Sequence, residues 1–205
     1  MDKTLTAGII LAAGMSTRFG RLKQMLEVGD STILSMVIDA AVKSDLDRVV
    51  LVLGHEAEAI KDSLGEALLN PRLITVINPL FQEGMSTSLQ CGLKEAMAGS
   101  PSIMVIMGDQ PLLTHEVIDL IIRSFRASEK DICVPVYSGK RGLPVCFTGR
   151  FYDEILGVTG DMGAREIIRN NPGDVLAVDI EDSDCFMDID SEADLERLES
   201  LLKCR

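Results

Sequence analysis

The chain has 205 residues, enough for one well-filled core, and its share of hydrophobic residues, 46%, is typical of a globular protein. Its 20 lysines and arginines against 32 aspartates and glutamates give a net charge of −12, which repels nucleic-acid backbones and anionic membrane surfaces alike. We therefore expect no nucleic-acid partner and no membrane partner. A small anionic ligand remains compatible with this charge, because it needs only a local cluster of cations and backbone amides.

Cysteine usage and the N-terminal segment both indicate a cytoplasmic protein. The five cysteines are widely spaced, form no C-x-x-C pair and are accompanied by only two histidines, which supports neither a disulfide framework nor a zinc site. The apolar run from Ala7 to Ala13 lacks a basic leader and is too short for a signal core. No other segment approaches the length of a membrane span.

Short apolar runs alternate along the chain with segments that carry apolar residues at helical spacing. The predicted strands are Leu5–Leu11, Arg48–Leu53, Leu73–Ile77, Ser102–Met107 and Ile132–Val136. The predicted helices are Thr32–Lys43, Glu56–Leu64, Ser86–Met97 and Thr114–Ala127. Near-continuous apolar runs are typical of strands that are covered on both faces. The alternation predicts an α/β fold, with a doubly wound, mostly parallel sheet and helices on both faces.

Glycines become frequent in residues 137–170, a segment with one further apolar run, Leu143–Phe147. No polar linker divides this segment from the rest, so we predict one domain over residues 1–205, with loops and short elements laid over the end of the sheet. The chain closes with the apolar runs Val175–Ile180 and Cys185–Ile189 and a helix that begins at Ser191.

The loop after the first strand combines small residues with cations. Leu11-Ala12-Ala13-Gly14 lets the backbone approach a ligand closely, and Arg18 and Lys23 supply positive charge. Five residues separate Gly14 from Gly20 where a Walker loop has four, and no G-x-G-x-x-G follows the strand. The loop predicts a polyphosphate site, although ordinary turn glycines and solvated cations would give the same residues.

A single carboxylate follows the fourth buried strand, in Gly108-Asp109-Gln110-Pro111. Ligands of doubly wound sheets bind at the carboxyl ends of the strands. Asp109 is therefore placed where a divalent ion can be held against a bound phosphate. Alone, the same pattern also describes a carboxylate that closes a turn.

Together, Leu-Ala-Ala-Gly-x-x-x-Arg-x-Gly-x-x-Lys and the Gly-Asp-Gln-Pro roughly ninety residues later resemble the molybdopterin nucleotidyltransferase-like group of the nucleotide-diphospho-sugar transferase fold. Three further segments resemble motifs of the molybdenum cofactor cytidylyltransferase family: G-L-P-V-C-F at 142–147, G-D-M-G-A-R at 160–165 and D-I-D-S at 188–191. Leu22 precedes Lys23 where sugar-1-phosphate nucleotidylyltransferases have proline. Ala13 stands where the guanylyl-transferring relatives have glycine, which favours a pyrimidine nucleotide.

The resemblance implies a reaction and a set of residues. CMP would pass from CTP to the phosphate of molybdopterin, or of the molybdenum cofactor, with Mg²⁺ or Mn²⁺ as the ion and pyrophosphate as the second product. Catalysis is assigned to Arg18, Lys23 and Asp109, and metal binding to Asp109 with Asp188 or Asp190. The predicted nucleotide-binding residues are Leu11, Ala12, Ala13, Gly14, Lys23, Ser88 and Gly108. The predicted acceptor-binding residues are Arg141, Gly142, Pro144, Gly163 and Arg165, within a Gly-rich segment at about 137–170.

Some of these assignments have competing interpretations. Residues 86–88 also fit a helix cap, and Arg165 could instead pair with Asp161 within one helical turn. Other functions consistent with the resemblance are a sister enzyme that uses GTP or another phosphate acceptor, and a non-catalytic chaperone that delivers a molybdenum cofactor to a hydroxylase. A chaperone would lose the metal carboxylate or the signature lysine, whereas Asp109 and Lys23 are both present. A molybdenum hydroxylase that receives the product is a further expected partner.

Overall fold

The computed structural model of the chain describes residues 3–15, 19 and 22–203. Its strands are β1 (Thr6–Ala12), β2 (Glu27–Val28), β3 (Ser31–Thr32), β4 (Arg48–Leu53), β5 (Leu73–Ile77), β6 (Ser102–Met107), β7 (Ile132–Tyr137), β8 (Lys140–Arg141), β9 (Val145–Thr148) and β10 (Val175–Asp179). Its helices are α1 (Ile33–Lys43), α2 (Ala57–Leu64), α3 (Met85–Ala96), α4 (His115–Ala127), α5 (Tyr152–Gly157), α6 (Arg165–Asn170) and α7 (Glu192–Lys203). No helix of this described part is long and apolar enough to cross a membrane.

Eight strands form the main sheet, in the order β10-β7-β9-β6-β1-β4-β5, with β8 paired to β7. Strands β5, β4, β1 and β6 are parallel neighbours, and β10 is parallel to β7. β1 is buried along its whole length, because Ile10 joins one apolar cluster while Ile9 and Leu11 join another. Successive strand residues point to opposite faces, so these clusters cover the two sides of the sheet. The predicted doubly wound, mostly parallel fold is confirmed.

The helices pack on both faces, and their ends follow capping chemistry. α1, α2 and α4 supply one cluster, and α3, α5 and α6 supply the other. At the start of α1, Thr32 and Ser35 form a reciprocal capping box, and Thr114 caps α4 by accepting from the Val117 N–H. Both helices therefore begin within one residue of their predicted first residues.

The run Leu143–Phe147 does not lie where the sequence predicts. Instead of lying over the end of the sheet, β9 is inserted into it between β6 and β7, antiparallel to both. Phe147 is opposite Ile103 on one side and Ile132 on the other, and its side chain is fully buried. A four-residue strand among glycines has little local signal, but the apolar side chains at 145–147 stabilise it by burial within the sheet.

Candidate active site

The end of β1 and the loop after it form one wall of a cavity of about 410 Å³ at the carboxyl ends of the parallel strands. The side chain of Gln24 supports this loop by donating to the carbonyl of Gly14 at 3.1 Å. Gly108, just after β6, packs closely against the end of β1. A Cβ added at Gly108 would lie 2.9 Å from the Cβ of Ala12 and 3.0 Å from the carbonyl oxygen of Leu11. Glycine is therefore required here by close packing of two backbone segments.

All the predicted nucleotide-binding residues line this first cavity: Leu11, Ala12, Ala13, Gly14, Lys23, Ser88 and Gly108. The predicted catalytic residue Arg18 lies outside the described residues. Ser88 is buried, and Asn78 holds it by donating from Nδ2 to Ser88 Oγ at 3.0 Å. The cap position of α3 is Gly84, so the helix-cap interpretation of residues 86–88 is wrong.

Lys23 joins two carboxylates from distant parts of the chain. Its Nζ donates to Asp109 Oδ2 at 2.6 Å and to Asp190 Oδ1 at 3.0 Å. Loss of solvent lowers the pKa of Lys23, but the charges of the two carboxylates and its hydrogen bonds to them outweigh that effect, and the pKa lies above its ordinary value. Lys23 is therefore a firmly charged ammonium group at the edge of the cavity.

The C-terminal segment reaches this position by packing on the core and by a backbone contact. Ile189, which precedes α7, and Leu198 of α7 belong to one apolar cluster with Leu26 and Val28, at the start of the β2–β3 hairpin that follows Lys23. The Ile189 N–H donates to the carbonyl of Asp109 at 3.1 Å. This bond brings Asp190 beside Asp109, although 81 positions separate them along the chain.

Asp109 has an atom suited to a cation. Its Oδ1 is buried and has no hydrogen-bond partner among the described residues, while Oδ2 is bound by Lys23. A buried carboxylate oxygen without a donor fits a hard divalent cation, whose preferred ligands are oxygens. Asp109 and Asp190, whose oxygens converge on one ammonium group, are the residues that fit such an ion.

The sequence leaves open whether Asp188 or Asp190 joins Asp109 as a metal ligand. Within residues 3–15, 19 and 22–203, no three His, Cys, Asp or Glu side chains are grouped as metal ligands. Asp188 Oδ1 accepts from Gln110 Nε2 at 2.8 Å, and Asp188 lines a second cavity together with Asp109 and Asp190. Loss of solvent and the nearby charge of Asp109 raise the pKa of Asp188 above its ordinary value. Asp190 shares the ammonium group of Lys23 with Asp109, whereas Asp188 is hydrogen-bonded to Gln110.

The second cavity, of about 690 Å³, combines an apolar wall with exposed cations. Its apolar lining comes from β-strands, helices and the segments between them: Leu89, Val105, Val134, Leu143, Val145, Ile168 and Phe186. Four of the predicted acceptor-binding residues line it, namely Arg141, Gly142, Gly163 and Arg165. Pro144 is not among the described residues that line it, because the chain enters the sheet there and Pro144 is buried.

Two residues that line the second cavity, Phe186 and Arg169, belong to none of the sequence motifs and were not predicted. Phe186 packs against Gly142, where an added Cβ would lie 3.1 Å from its ring. Arg169 lines the cavity and pairs with Glu166 at 3.0 Å. The alternative ion pair between Arg165 and Asp161 is not formed among the described residues. Asp161 Oδ1 accepts instead from the Met85 N–H at 3.1 Å.

The two cavities adjoin. They share the lining residues Leu11, Met85, Met107, Asp109 and Asp190. A ligand in one cavity can therefore meet a ligand in the other beside the carboxylates of Asp109 and Asp190. The arrangement suits the transfer of a charged group between two bound molecules.

Comparisons with known proteins agree with this geometry. The profile of the MobA-like NTP transferase domain matches residues 8–175. The chain is 28% identical to the molybdenum cofactor cytidylyltransferase of Escherichia coli (strain K12), over 91% of each chain. It is 32% identical to a probable molybdenum cofactor guanylyltransferase of Pyrococcus horikoshii, over 72% of this chain and 71% of the relative. It is also 29% identical to nicotine blue oxidoreductase of Paenarthrobacter nicotinovorans, over 96% of this chain and 98% of the relative.

A solved structure extends the likeness to three dimensions. A manganese complex of a protein from Mycobacterium tuberculosis H37Rv aligns with a TM-score of 0.79 at 26% identity, covering 96% of this chain and 99% of that one. The resemblance that the sequence motifs indicate is confirmed at the level of the family and of the fold.

Proposed function

Because the chain belongs to the MobA-like NTP transferase family and is a nucleotidyltransferase in sequence and fold, we propose that it transfers CMP from CTP to the phosphate of molybdopterin or of the molybdenum cofactor. The products are the cytosine dinucleotide form of the cofactor and pyrophosphate. One observation carries the proposal: a cavity with a charged lysine opens beside Asp109 and Asp190 into a second cavity with an apolar wall and exposed arginines.

The nucleotide occupies the first cavity in this proposal. Backbone groups of Leu11, Ala12 and Ala13 contact the base, and Ser88 adds a side-chain contact. The preference for CTP is supported by Ala13 and by the likeness to the cytidylyltransferase of Escherichia coli over nearly all of both chains. GTP is the alternative nucleotide, supported by the slightly higher identity to the Pyrococcus horikoshii protein.

The chemical step is an in-line displacement at the α-phosphorus of CTP. An oxygen of the acceptor phosphate forms the new P–O bond while the bond to the β-phosphate oxygen breaks and pyrophosphate leaves. No general base is needed, because the attacking phosphate is already ionised at neutral pH. The ammonium of Lys23 offsets the charge that develops on the leaving group, and Arg18 holds the triphosphate with it.

The proposal includes a divalent cation, Mg²⁺ or Mn²⁺. Asp109 and Asp190 would hold it, and the unpartnered Oδ1 of Asp109 supports this assignment. When bound, the ion supplies positive charge that neutralises phosphate oxygens. The manganese in the mycobacterial structure supports a divalent ion in this family.

The acceptor occupies the second cavity. Arg141 and Arg165 contact its phosphate, and Gly142 and Gly163 allow close approach of a flat heterocycle. The apolar wall packs on the ring system. In this proposal residues 1–205 act as one domain in the cytoplasm, and a molybdenum hydroxylase receives the product.

A nucleotide-by-acceptor assay tests the proposal. The protein is incubated with Mg²⁺, one of the four nucleoside triphosphates, and molybdopterin, while pyrophosphate release and the mass of the product are followed. We expect release with CTP that depends on the acceptor, and a product heavier than the acceptor by one CMP unit. Release only with GTP supports the sister enzyme. Equal release with all four nucleotides, or none, contradicts cytidylyl transfer.

A further inference from the structure

Two segments that are distant in the sequence meet between the cavities. Met85, the first residue of α3, lines both cavities. The turn at 160–165 contributes Asp161 to the first cavity and Gly163 and Arg165 to the second. The contact between this turn and α3 therefore sets the position of one cavity relative to the other.

The side chain of Asp161 makes that contact. Its Oδ1 accepts from the Met85 N–H at 3.1 Å. The first N–H groups of a helix have no partner within the helix, and a carboxylate beside them is also favoured by the helix dipole. Gly84, at the cap position, has no side chain that could accept from the first-turn N–H groups. Asp161 thus supplies, from another part of the chain, a carboxylate partner for the N–H of the first helical residue.

Gly84 permits the close approach of the turn. Its φ of 111° is one that residues with side chains rarely adopt. An added Cβ would lie 2.7 Å from the carbonyl carbon of Gly160 and 2.9 Å from Asp161 Oδ1. Backbone atoms cannot move away cheaply at such distances, so a side chain at Gly84 would push the turn off the helix.

A second attachment lies further along α3. Gln90 Nε2 donates to the carbonyl of Leu156 at 3.0 Å and to that of Val158 at 2.7 Å. These carbonyls lie at the end of α5, just before the turn. The segment that leads to Arg165 is therefore attached to α3 at two points, of which the one made by Asp161 is nearer to the cavities.

We propose that Asp161 is a positioning residue for nucleotidyl transfer: by capping α3, it holds the acceptor side of the site at the separation from the nucleotide side that in-line attack requires. This inference rests on the proposed function. Asp161 is exposed, so removing its carboxylate loosens the turn without removing packing from the core. Misplacement of reacting groups lowers the rate of the chemical step more than it lowers affinity.

Two substitutions separate the effect of the hydrogen bond between Asp161 and Met85 from the effect of the carboxylate charge. Asp161→Ala removes the acceptor atom, whereas Asp161→Asn keeps an Oδ1 that can accept from Met85 and serves as the matched control. With CTP and molybdopterin, we expect Asp161→Ala to lower kcat by about 10- to 100-fold and to change the KM for CTP by less than about two-fold. Asp161→Asn should retain most of the wild-type kcat.

Hydrogen–deuterium exchange reports on the same bond without any substrate. The Met85 amide should exchange faster in Asp161→Ala than in the wild type or in Asp161→Asn. Unchanged exchange would mean that the bond does not form in solution and would overturn the proposal. Equal loss of kcat in both variants would assign the effect to the carboxylate charge. A higher KM for CTP with unchanged kcat would assign Asp161 to direct nucleotide binding, and either result also overturns the positioning role.

The wild-type assay separates failure of this inference from failure of the proposed function. Absence of transfer by the wild type refutes the proposed function and the positioning role with it. Transfer by the wild type together with an unchanged kcat in Asp161→Ala refutes the positioning role alone.

Discussion

The two cavities of this protein differ in how their charges are held. In the first, the side chains of Lys23 and Asp109 are only 16% and 13% exposed, and they bind each other. In the second, Arg141 and Arg165 are exposed at the edge of an apolar wall. Removing one partner of a buried ion pair leaves a charge without compensation, whereas removing an exposed cation costs little stability. The first cavity is therefore constrained by its buried ion pair, whereas the exposed arginines of the second cavity can be substituted with little loss of stability.

The largest effect is expected at the carboxylate shared by both cavities. Asp109→Asn removes the charge that pairs with Lys23 and leaves a neutral amide in place of the anionic ligand for a divalent ion, so kcat should fall by about 10²- to 10³-fold. Circular dichroism should show that the fold is retained. The matched control is Asp188→Asn, which keeps a hydrogen-bond acceptor for Gln110 and should lose much less activity. Comparable losses in both variants would contradict the proposal that Asp109 and Asp190, rather than Asp188, hold the ion.

A steric substitution tests the tight packing of the first cavity. Gly108→Ala places a Cβ 2.9 Å from that of Ala12. The overpacking should destabilise the protein by about 1–3 kcal/mol and raise the KM for the nucleotide. Denaturant unfolding measures the first effect and initial rates the second. Gly173→Ala, where an added Cβ meets no atom within 4 Å, is the control and should change neither.

A smaller and more selective effect is expected in the second cavity. Arg165→Ala should raise the KM for the acceptor by about ten-fold, equivalent to about 1.4 kcal/mol, and leave the KM for CTP unchanged. Initial rates with each substrate varied in turn measure this split. Arg169→Ala is the comparison, because Arg169 is paired with Glu166. An increase confined to the KM for CTP would reverse the roles given to the two cavities.

The smallest effect is expected far from both cavities, where Asp131 accepts hydrogen bonds from Thr148 and Arg150 at 2.9 Å. Loss of solvent raises the pKa of Asp131, but these bonds outweigh it and hold the pKa below its ordinary value of 3.8. A lowered native pKa stabilises the fold above the unfolded value and loses that effect as the pH falls through the native value. Asp131→Asn should cost about 1 kcal/mol at pH 7, since Arg150 is half exposed, with no change in kcat.

Urea unfolding at several pH values measures that contribution. The difference in unfolding free energy between the wild type and Asp131→Asn should shrink as the pH falls below 3.8. A difference that grows in acid would contradict the sign of the pKa shift. A loss of activity would show that the contact of Asp131 with Thr148 and Arg150 is coupled to the second cavity.

Most of the sheet follows from local pattern. The strands at 48–53, 73–77 and 102–107 have the predicted bounds, because short, near-continuous apolar runs are typical of strands in a sheet covered on both faces. The insertion of β9 has no such local signal. Its place depends on pairing with β6 and β7, strands that lie about 40 and 10 positions earlier in the chain, and such pairing is set by tertiary packing.

The candidate site shows the same division between features that follow from local sequence and features that tertiary packing sets. The sequence by itself determined the loop after β1 and the carboxylate of Asp109, because both lie directly after buried strands and their chemistry is carried by adjacent residues. Only the tertiary structure decided that Asp190 rather than Asp188 meets Lys23, that Phe186 lies against Gly142, and that Asp161 caps α3. Each of these contacts joins segments that are distant along the chain. Their geometry depends on how the fold packs those segments together, which local spacing does not encode.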